Sequence, residues 1–94
     1  MPQIARIISP DGTERTVTPA NAKTFTLAEL QGMVGGYIEL VMLPRGNGRV
    51  TAYVNEEGKL NGLPHNATAS RIYGREPADV IVGPLVIVSK QKGA

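Results

Sequence analysis

The pattern of apolar and polar residues near the start of the chain predicts two short strands joined by a turn. Residues 3–9 and 14–18 alternate loosely between apolar and polar side chains. Between them lies Pro10-Asp11-Gly12-Thr13, in which proline and the Asp-Gly pair favour the backbone angles of a hairpin connection. We therefore expect an N-terminal β-hairpin over residues 3–18.

The clearest helix signal in the chain begins at Thr26. Its hydroxyl can accept the free amide of Glu29, while the Glu29 carboxylate reaches back to the amide of Thr26, as in a capping box. Apolar residues recur at helical spacing from residue 27 to residue 34. Gly35-Gly36 follows and can end a helix in the left-handed conformation. The pattern predicts a capped helix over residues 27–34.

A second hairpin is expected in the middle of the chain. Residues 37–43 are apolar and β-rich, the glycine-containing stretch 44–48 reverses direction, and residues 49–54 return as a strand. The alternation on the returning strand predicts that the following side chains face inward: Val50, Ala52 and Val54.

The C-terminal third of the chain predicts a short helix and a strand. Asn66 can cap a helix that continues to Tyr73, with Gly74 at its end. Residues 79–89 are the most apolar stretch and predict a strand near the centre of the sheet. Because proline removes a hydrogen-bond donor, we expect a bulge at Gly83-Pro84 within this strand.

These elements together predict an α+β fold. We expect an antiparallel or mixed sheet of about five strands with one capped helix and one short helix packed on it. With 94 residues, of which 41% are hydrophobic and 19% charged, the composition is that of one globular domain over residues 1–94.

Composition also limits the chemistry. The chain has no cysteine, which excludes disulfides, thiolate zinc sites and cysteine nucleophiles, and we expect neither a metal site nor a cofactor. The N-terminus lacks the pattern of a secretion signal, and the apolar run 80–88 is much shorter than the ~20 residues that span a bilayer. The expectation is a soluble protein of the cytoplasm.

The charge pattern gives little support to nucleic-acid binding. Ten lysines and arginines oppose eight acidic residues, for a net charge of +2, and the basic residues are scattered along the chain. Arg45 and Arg49 flank the predicted tip of the second hairpin and have the chemistry to contact a phosphate backbone. A nucleic-acid-associated protein therefore stays as an alternative function.

The segment between the second hairpin and the second helix is the candidate functional loop. It contains the only histidine of the chain, two adjacent carboxylates and a lysine, together with glycine, proline and asparagine residues. Ordered loops on a rigid scaffold often carry function. The candidate ligand- or partner-binding residues are Asn55, Glu56, Glu57, Lys59, Asn61, His65 and Asn66 in the loop, with Arg45 and Arg49 at the hairpin tip.

Catalysis has weaker support than binding. His65 lacks a nucleophile motif nearby, and a lone loop histidine is more often a surface residue. An enzyme would need the side chains of Glu56, Glu57, Lys59 and His65 to converge in one pocket, so no catalytic residue is assigned. Free backbone amides in the glycine-containing stretch 58–62 have the chemistry to bind a small anion.

Several ordered motifs resemble those of one uncharacterised small-domain family that is frequent in bacteriophage, prophage and plasmid genomes. The motifs are Leu27-Ala28-Glu29-Leu30-Gln31, Val34-Gly35-Gly36-Tyr37-Ile38-Glu39, Val54-Asn55-Glu56-Glu57-Gly58-Lys59-Leu60, Gly62-Leu63-Pro64 with Asn66-Ala67, and Ile81-Val82-Gly83. The resemblance covers about residues 25–88. It implies a mobile-element accessory protein in the bacterial cytoplasm, without an established activity. This chain departs from the family by having Pro84 where an acidic or other polar residue commonly follows the final glycine.

The leading functional hypothesis is a non-enzymatic binding module of a mobile element. It uses the loop 55–66, together with the hairpin tip 45–49, to engage a host protein or a small anionic, nucleotide-like ligand. A nucleic-acid-associated protein is the alternative, and a small enzyme is third. Open edge strands also permit a homodimer.

Overall fold

The computed structural model describes residues 2–73 and 80–90. Its elements in chain order are β1 (Gln3–Ile8), β2 (Glu14–Val17), α1 (Leu27–Val34), β3 (Ile38–Arg45), β4 (Gly48–Asn55), α2 (Ala67–Tyr73) and β5 (Leu85–Lys90). The strands form one sheet in the order β2-β1-β5-β4-β3, and each neighbouring pair is antiparallel. The predicted α+β class is confirmed. Within the described part of the chain, no helix is long and apolar enough to cross a membrane.

Helix α1 starts and ends where local sequence signals place it. The amide of Glu29 donates to the Thr26 hydroxyl oxygen at 3.2 Å, and the amide of Thr26 donates to Glu29 Oε1 at 2.8 Å. Gly35 ends the helix with a φ of 79°. The second carboxylate oxygen of Glu29 accepts the amide of Ala20 at 3.0 Å. Glu29 therefore fixes both the helix start and the preceding loop.

These bonds make the stability of the fold depend on pH through Glu29. The backbone amide of Thr26, followed by that of Ala20, holds the pKa of Glu29 below its usual value of 4.5. A carboxyl whose pKa is depressed by folding stabilises the protein above its unfolded-state pKa, and this stabilisation is lost as the pH falls through the folded-state pKa. We expect the unfolding free energy of the wild type to fall more steeply below about pH 5 than that of Glu29→Gln. Urea denaturation across this range measures both slopes.

The matched control for this experiment is Glu57→Gln. The Glu57 side chain is exposed and accepts no hydrogen bond among the described residues, so its removal should leave the acid slope at the wild-type value. Equal slopes for the wild type and Glu29→Gln would contradict the assigned role of the carboxylate.

The second hairpin is longer than its pattern predicts. Its strands β3 and β4 extend to Arg45 and Gly48, which pair directly across a turn of only two residues, Gly46 and Asn47. Pro44 lies inside β3, which is tolerated because β3 is an edge strand and needs no donor on its outer side.

The predicted strand over residues 79–89 is wrong in its first half. Strand β5 begins at Leu85, after Gly83 adopts a φ of 72° and Pro84 follows without an amide donor. Residues 80–84 instead run beside the end of the loop 55–66, where Val82 forms an isolated antiparallel bridge with His65. The central position of β5 is as expected, and its apolar residues 85–88 are all buried. The predicted helix end at Gly74 and strand start at Asp79 lie outside the described residues.

The two helices cover opposite faces of the sheet. On the α1 face, Leu30 and Val34 of α1 pack with Ala5, Ile7, Val86 and Val88. On the α2 face, Ala69 and Tyr73 of α2 pack with Ile8, Ala52, Leu85 and Ile87, and with the partly buried Val50 and Val54. Because side chains alternate along a strand, both faces of β1, β4 and β5 contribute to the core.

Candidate binding groove and its loop

The loop 55–66 is an ordered series of turns. The amide of Asn61 donates to the carbonyl of Glu57 at 2.8 Å, and the amide of Leu63 donates to that of Gly58 at 2.9 Å. A Cβ on Gly58 would lie only 3.0 Å from Cγ2 of Val82, so glycine lets the loop pack closely on the segment 80–84. The loop is thus held in one shape by its own backbone and by this contact.

The C-terminal end of the loop is hydrogen-bonded to the segment 80–84, which precedes β5. The amide of Gly83 donates to the carbonyl of Pro64 at 2.7 Å, and the amide of Asn66 donates to that of Ile81 at 2.8 Å. His65 lies between these two bonds with an exposed side chain. The backbone around His65 is therefore rigid, while its imidazole faces solvent.

Asn66 has a structural contact for each of its side-chain polar atoms. Its Nδ2 donates to the carbonyls of Ile8 at 2.8 Å and Gly83 at 2.9 Å, and its Oδ1 accepts the amide of Ala69 at 3.0 Å. The residue is fully buried. Asn66 caps α2 as predicted, but its amide group binds the fold in place of the ligand expected from the sequence.

Asn55 is also occupied by the fold. Its Nδ2 donates to the carbonyl of Val34 at the end of α1, at 3.2 Å, and its Oδ1 accepts the amide of Glu57 at 2.8 Å. A Cβ on Gly36 would lie 2.8 Å from Asn55 Nδ2, so this contact also needs glycine at position 36. Asn55 joins the helix end to the loop start, and its side chain is not free to bind a ligand.

An open groove of about 570 Å³ lies on the α2 face, beside the edge strand β3. Strand β3, the end of β4, the start of the loop, α2 and residues 80–82 all contribute to it. Its apolar lining includes Val41, Leu43, Val54, Tyr73 and Ile81. Within residues 2–73 and 80–90, three exposed charged residues border it: Glu39, Glu56 and Lys59. Its volume is in the range of small-ligand and side-chain binding pockets.

The residues predicted from the sequence overlap only in part with the groove lining. Among the predicted loop residues, Asn55, Glu56 and Lys59 line the groove, whereas Glu57, Asn61 and His65 do not. The apolar lining was missed because its residues read as ordinary strand positions. Leu60, which was not among the predicted site residues, has a side chain that is 82% exposed.

The four residues considered for catalysis do not form one constellation. Glu56 and Lys59 border the groove, whereas Glu57 and His65 lie outside its lining. Among residues 2–73 and 80–90, no side-chain hydrogen bond or ion pair connects any two of them. In the same part of the chain, no group of three or more histidine and carboxylate side chains is arranged to hold a metal ion.

The two arginines of the hairpin tip point to opposite faces of the sheet. The pairing register places Arg45 on the α2 face with Val41 and Leu43, and Arg49 on the α1 face with Tyr53. The tip is also separated from the loop by the length of β4, roughly 23 Å for eight residues at ~3.3 Å per residue. Neither arginine therefore lies near the loop, and the two arginines do not form one basic patch.

Comparison with known proteins identifies a family but no activity. A family model described as a domain of unknown function, DUF3846, matches residues 5–94. The match begins in β1 and so includes the N-terminal hairpin, beyond the range 25–88 that carries the sequence resemblance. No curated protein and no solved structure gives a significant match. The chain, nearly all of which this model covers, belongs to the DUF3846 family of domains of unknown function.

Proposed function

We propose that the protein is a non-catalytic binding module of a bacterial mobile element that docks a segment of a host protein in the groove beside β3. The mobile-element setting and the bacterial cytoplasm rest on the family resemblance. The observation that supports docking is the groove itself, in which an open apolar lining is bordered by charged side chains. This combination suits an apolar anchor residue with polar neighbours.

The charges at the groove favour a protein segment over a small anion. Among the described residues that line the groove, two are carboxylates, Glu39 and Glu56, and one is an ammonium, Lys59. A nucleotide-like anion would experience net repulsion there, whereas a segment carrying lysine or arginine beside its apolar residues is complementary. Leu60, exposed and next to Lys59 in the chain, offers a further apolar contact. The geometry adds no comparable support to nucleic-acid binding, because Arg45 and Arg49 diverge.

The proposal predicts that reversing one groove charge weakens partner binding. A photo-reactive amino acid in place of Leu43 should crosslink the partner in bacterial cells, and mass spectrometry should identify an apolar segment with a nearby basic residue. Glu56→Lys is then expected to weaken the binding of that segment, as a synthetic peptide, by about tenfold, because it repels the basic residue. Isothermal titration calorimetry measures the affinity.

The control variant is Glu57→Lys, which makes the same charge change one residue away and outside the groove. Its affinity for the peptide should match that of the wild type. The anionic alternative predicts the opposite sign, since Glu56→Lys would strengthen binding of nucleotides or inorganic phosphate. Tighter anion binding by Glu56→Lys, with no crosslink from position 43, would overturn the proposal.

A further inference from the structure

No strand among the described residues pairs with the outer edge of β3, which leaves its outward backbone groups available for hydrogen bonding. The amide of Glu56 donates to the carbonyl of Tyr37 at 2.8 Å, which shows that the backbone groups of Tyr37 face β4. Because the direction of the backbone amide and carbonyl alternates along an antiparallel strand, these groups face away from β4 in the even-numbered residues of β3. These are Ile38, Leu40, Met42 and Pro44, of which only proline lacks an amide to donate.

This edge is poorly protected against pairing. Edge strands are usually protected by charged side chains, proline, a bulge, or a helix or loop that covers the edge. Here Pro44 and Arg45 stand at one end of β3 and Glu39 near the other, with an uninterrupted apolar stretch between them. Within that stretch, Leu40 is 56% and Met42 is 45% exposed on the α1 face, because α1 leaves β3 largely uncovered.

We infer that a second copy of this chain pairs with β3 in an antiparallel arrangement, with Met42 of each copy facing Met42 of the other. The side chains of β3 are complementary to themselves in this register. Glu39 lies opposite Arg45 of the second copy, Leu40 opposite its Pro44, and Val41 opposite its Leu43. Apolar residues thus meet apolar residues, and each carboxylate meets a guanidinium.

The geometry of such a pair gives the charges close contact. Odd-numbered residues bond inwards to β4, so across the outer edge they form the non-hydrogen-bonded pairs, in which side chains come closest. The pair also gains about four backbone hydrogen bonds, from Met42 and from the Leu40 amide to the carbonyl of Pro44 in the second copy. The interface is small, which places the dimer in the weak, concentration-dependent class.

A register shifted to centre on Leu40 is the main competitor. It would form about six backbone hydrogen bonds, since it avoids Pro44. However, it sets Glu39 against Val41 of the second copy and brings the two Glu39 carboxylates to diagonal positions. Side-chain complementarity therefore favours the register centred on Met42.

The pairing also changes the groove, although it does not depend on what the groove binds. Three residues of β3 both line the groove and lie in the dimer interface: Glu39, Val41 and Leu43. In the dimer, Arg45 of the second copy joins the border of the groove beside Glu39. The two grooves then lie on the same face of a continuous ten-stranded sheet, one on each side of the two-fold axis.

Charge-reversal variants at the interface between the two β3 strands test the pairing. Sedimentation velocity of the full chain should show a monomer–dimer equilibrium in the micromolar range. Arg45→Glu or Glu39→Lys should each weaken the dimer by about tenfold, because two attractive pairs become repulsive, and the double variant should restore it. Arg49→Glu is the control, since it makes the same charge change on the opposite face.

Disulfide formation reports the register, because the chain has no native cysteine. Met42→Cys should form a crosslinked dimer on oxidation, since the Cα atoms of a hydrogen-bonded pair are ~5.5 Å apart, within disulfide reach. Leu40→Cys should stay uncrosslinked. A wild-type chain that stays monomeric, equal effects of Arg45→Glu and Arg49→Glu, or crosslinking through position 40 would overturn the inference. Each of these results leaves the groove proposal to its own test with Glu56→Lys.

Discussion

Replacing Asn66 by alanine is expected to destabilise the protein by about 3–5 kcal/mol, because one buried side chain satisfies three backbone groups. The substitution leaves the carbonyls of Ile8 and Gly83 without their donor and removes the cap of Ala69. Each unsatisfied buried group costs about 1–3 kcal/mol. For a domain of this size the loss is a large part of the total stability. Urea denaturation followed by circular dichroism measures it.

Two further variants separate the contributions of Asn66. Asn61→Ala removes an exposed asparagine from the same loop, and its effect should stay within about 0.5 kcal/mol. Asn66→Asp keeps an acceptor for the amide of Ala69 but turns a carboxylate oxygen towards two carbonyls, so at neutral pH it should be at least as damaging as alanine. A loss below about 1 kcal/mol for Asn66→Ala would mean that water can replace the amide, and would refute this account.

The helix cap of Asn66 was readable from the sequence, whereas its other contacts were not. A cap depends on residues three positions apart, and the sequence displays it directly. The bonds to Ile8 and Gly83 join positions 58 and 17 residues away and exist only once the strands have been assembled. Without them, a polar residue in a loop looks like a ligand-binding residue. The bond of Asn55 to Val34 at the end of α1 was hidden from the sequence for the same reason.

Local signals predicted α1 and the second hairpin, since both depend on neighbouring residues. The capping box of Thr26 and Glu29, the positive φ of Gly35 and the β-rich residues of the hairpin all act within a few positions. The central place of β5 followed from its apolar composition, because a strand buried on both faces needs no polar alternation. The predicted start of β5 was too early because the apolar residues extend back to Val80, before the backbone bend at Gly83 that ends the extended conformation.

The groove could not be predicted because it is a product of packing. Val41 and Leu43 have the same pattern as core strand residues, and only the coverage of each face decides which of them line an open surface. Similarly, Leu40 and Met42 would be core residues if α1 lay over β3. The exposed parts of an edge strand therefore depend on helix position, which sequence periodicity does not encode.

The backbone bend at Gly83 is expected to be sensitive to substitution, and Gly83→Ala should lower the free energy of unfolding by about 3 kcal/mol. A side chain at a φ of 72° is strained by roughly 1–2 kcal/mol. In addition, the new Cβ would lie 2.8 Å from Cδ1 and 3.6 Å from Cβ of Leu63, and overpacking of this kind typically costs about 1–3 kcal/mol. Chemical denaturation gives the total, and amide NMR shifts of the loop report where the structure moves.

Gly62→Ala separates the two contributions to this cost. Gly62 has a φ of 67°, close to that of Gly83, but a Cβ there would meet nothing within 4 Å. It should therefore cost only the backbone strain, about 1–2 kcal/mol, and the remainder of the Gly83→Ala effect is the clash with Leu63. Equal losses would mean that the Leu63 side chain turns aside freely. Unequal losses, with shifts concentrated at Leu63 and Val82, would show that Leu63 fixes the loop against the segment that lines the groove.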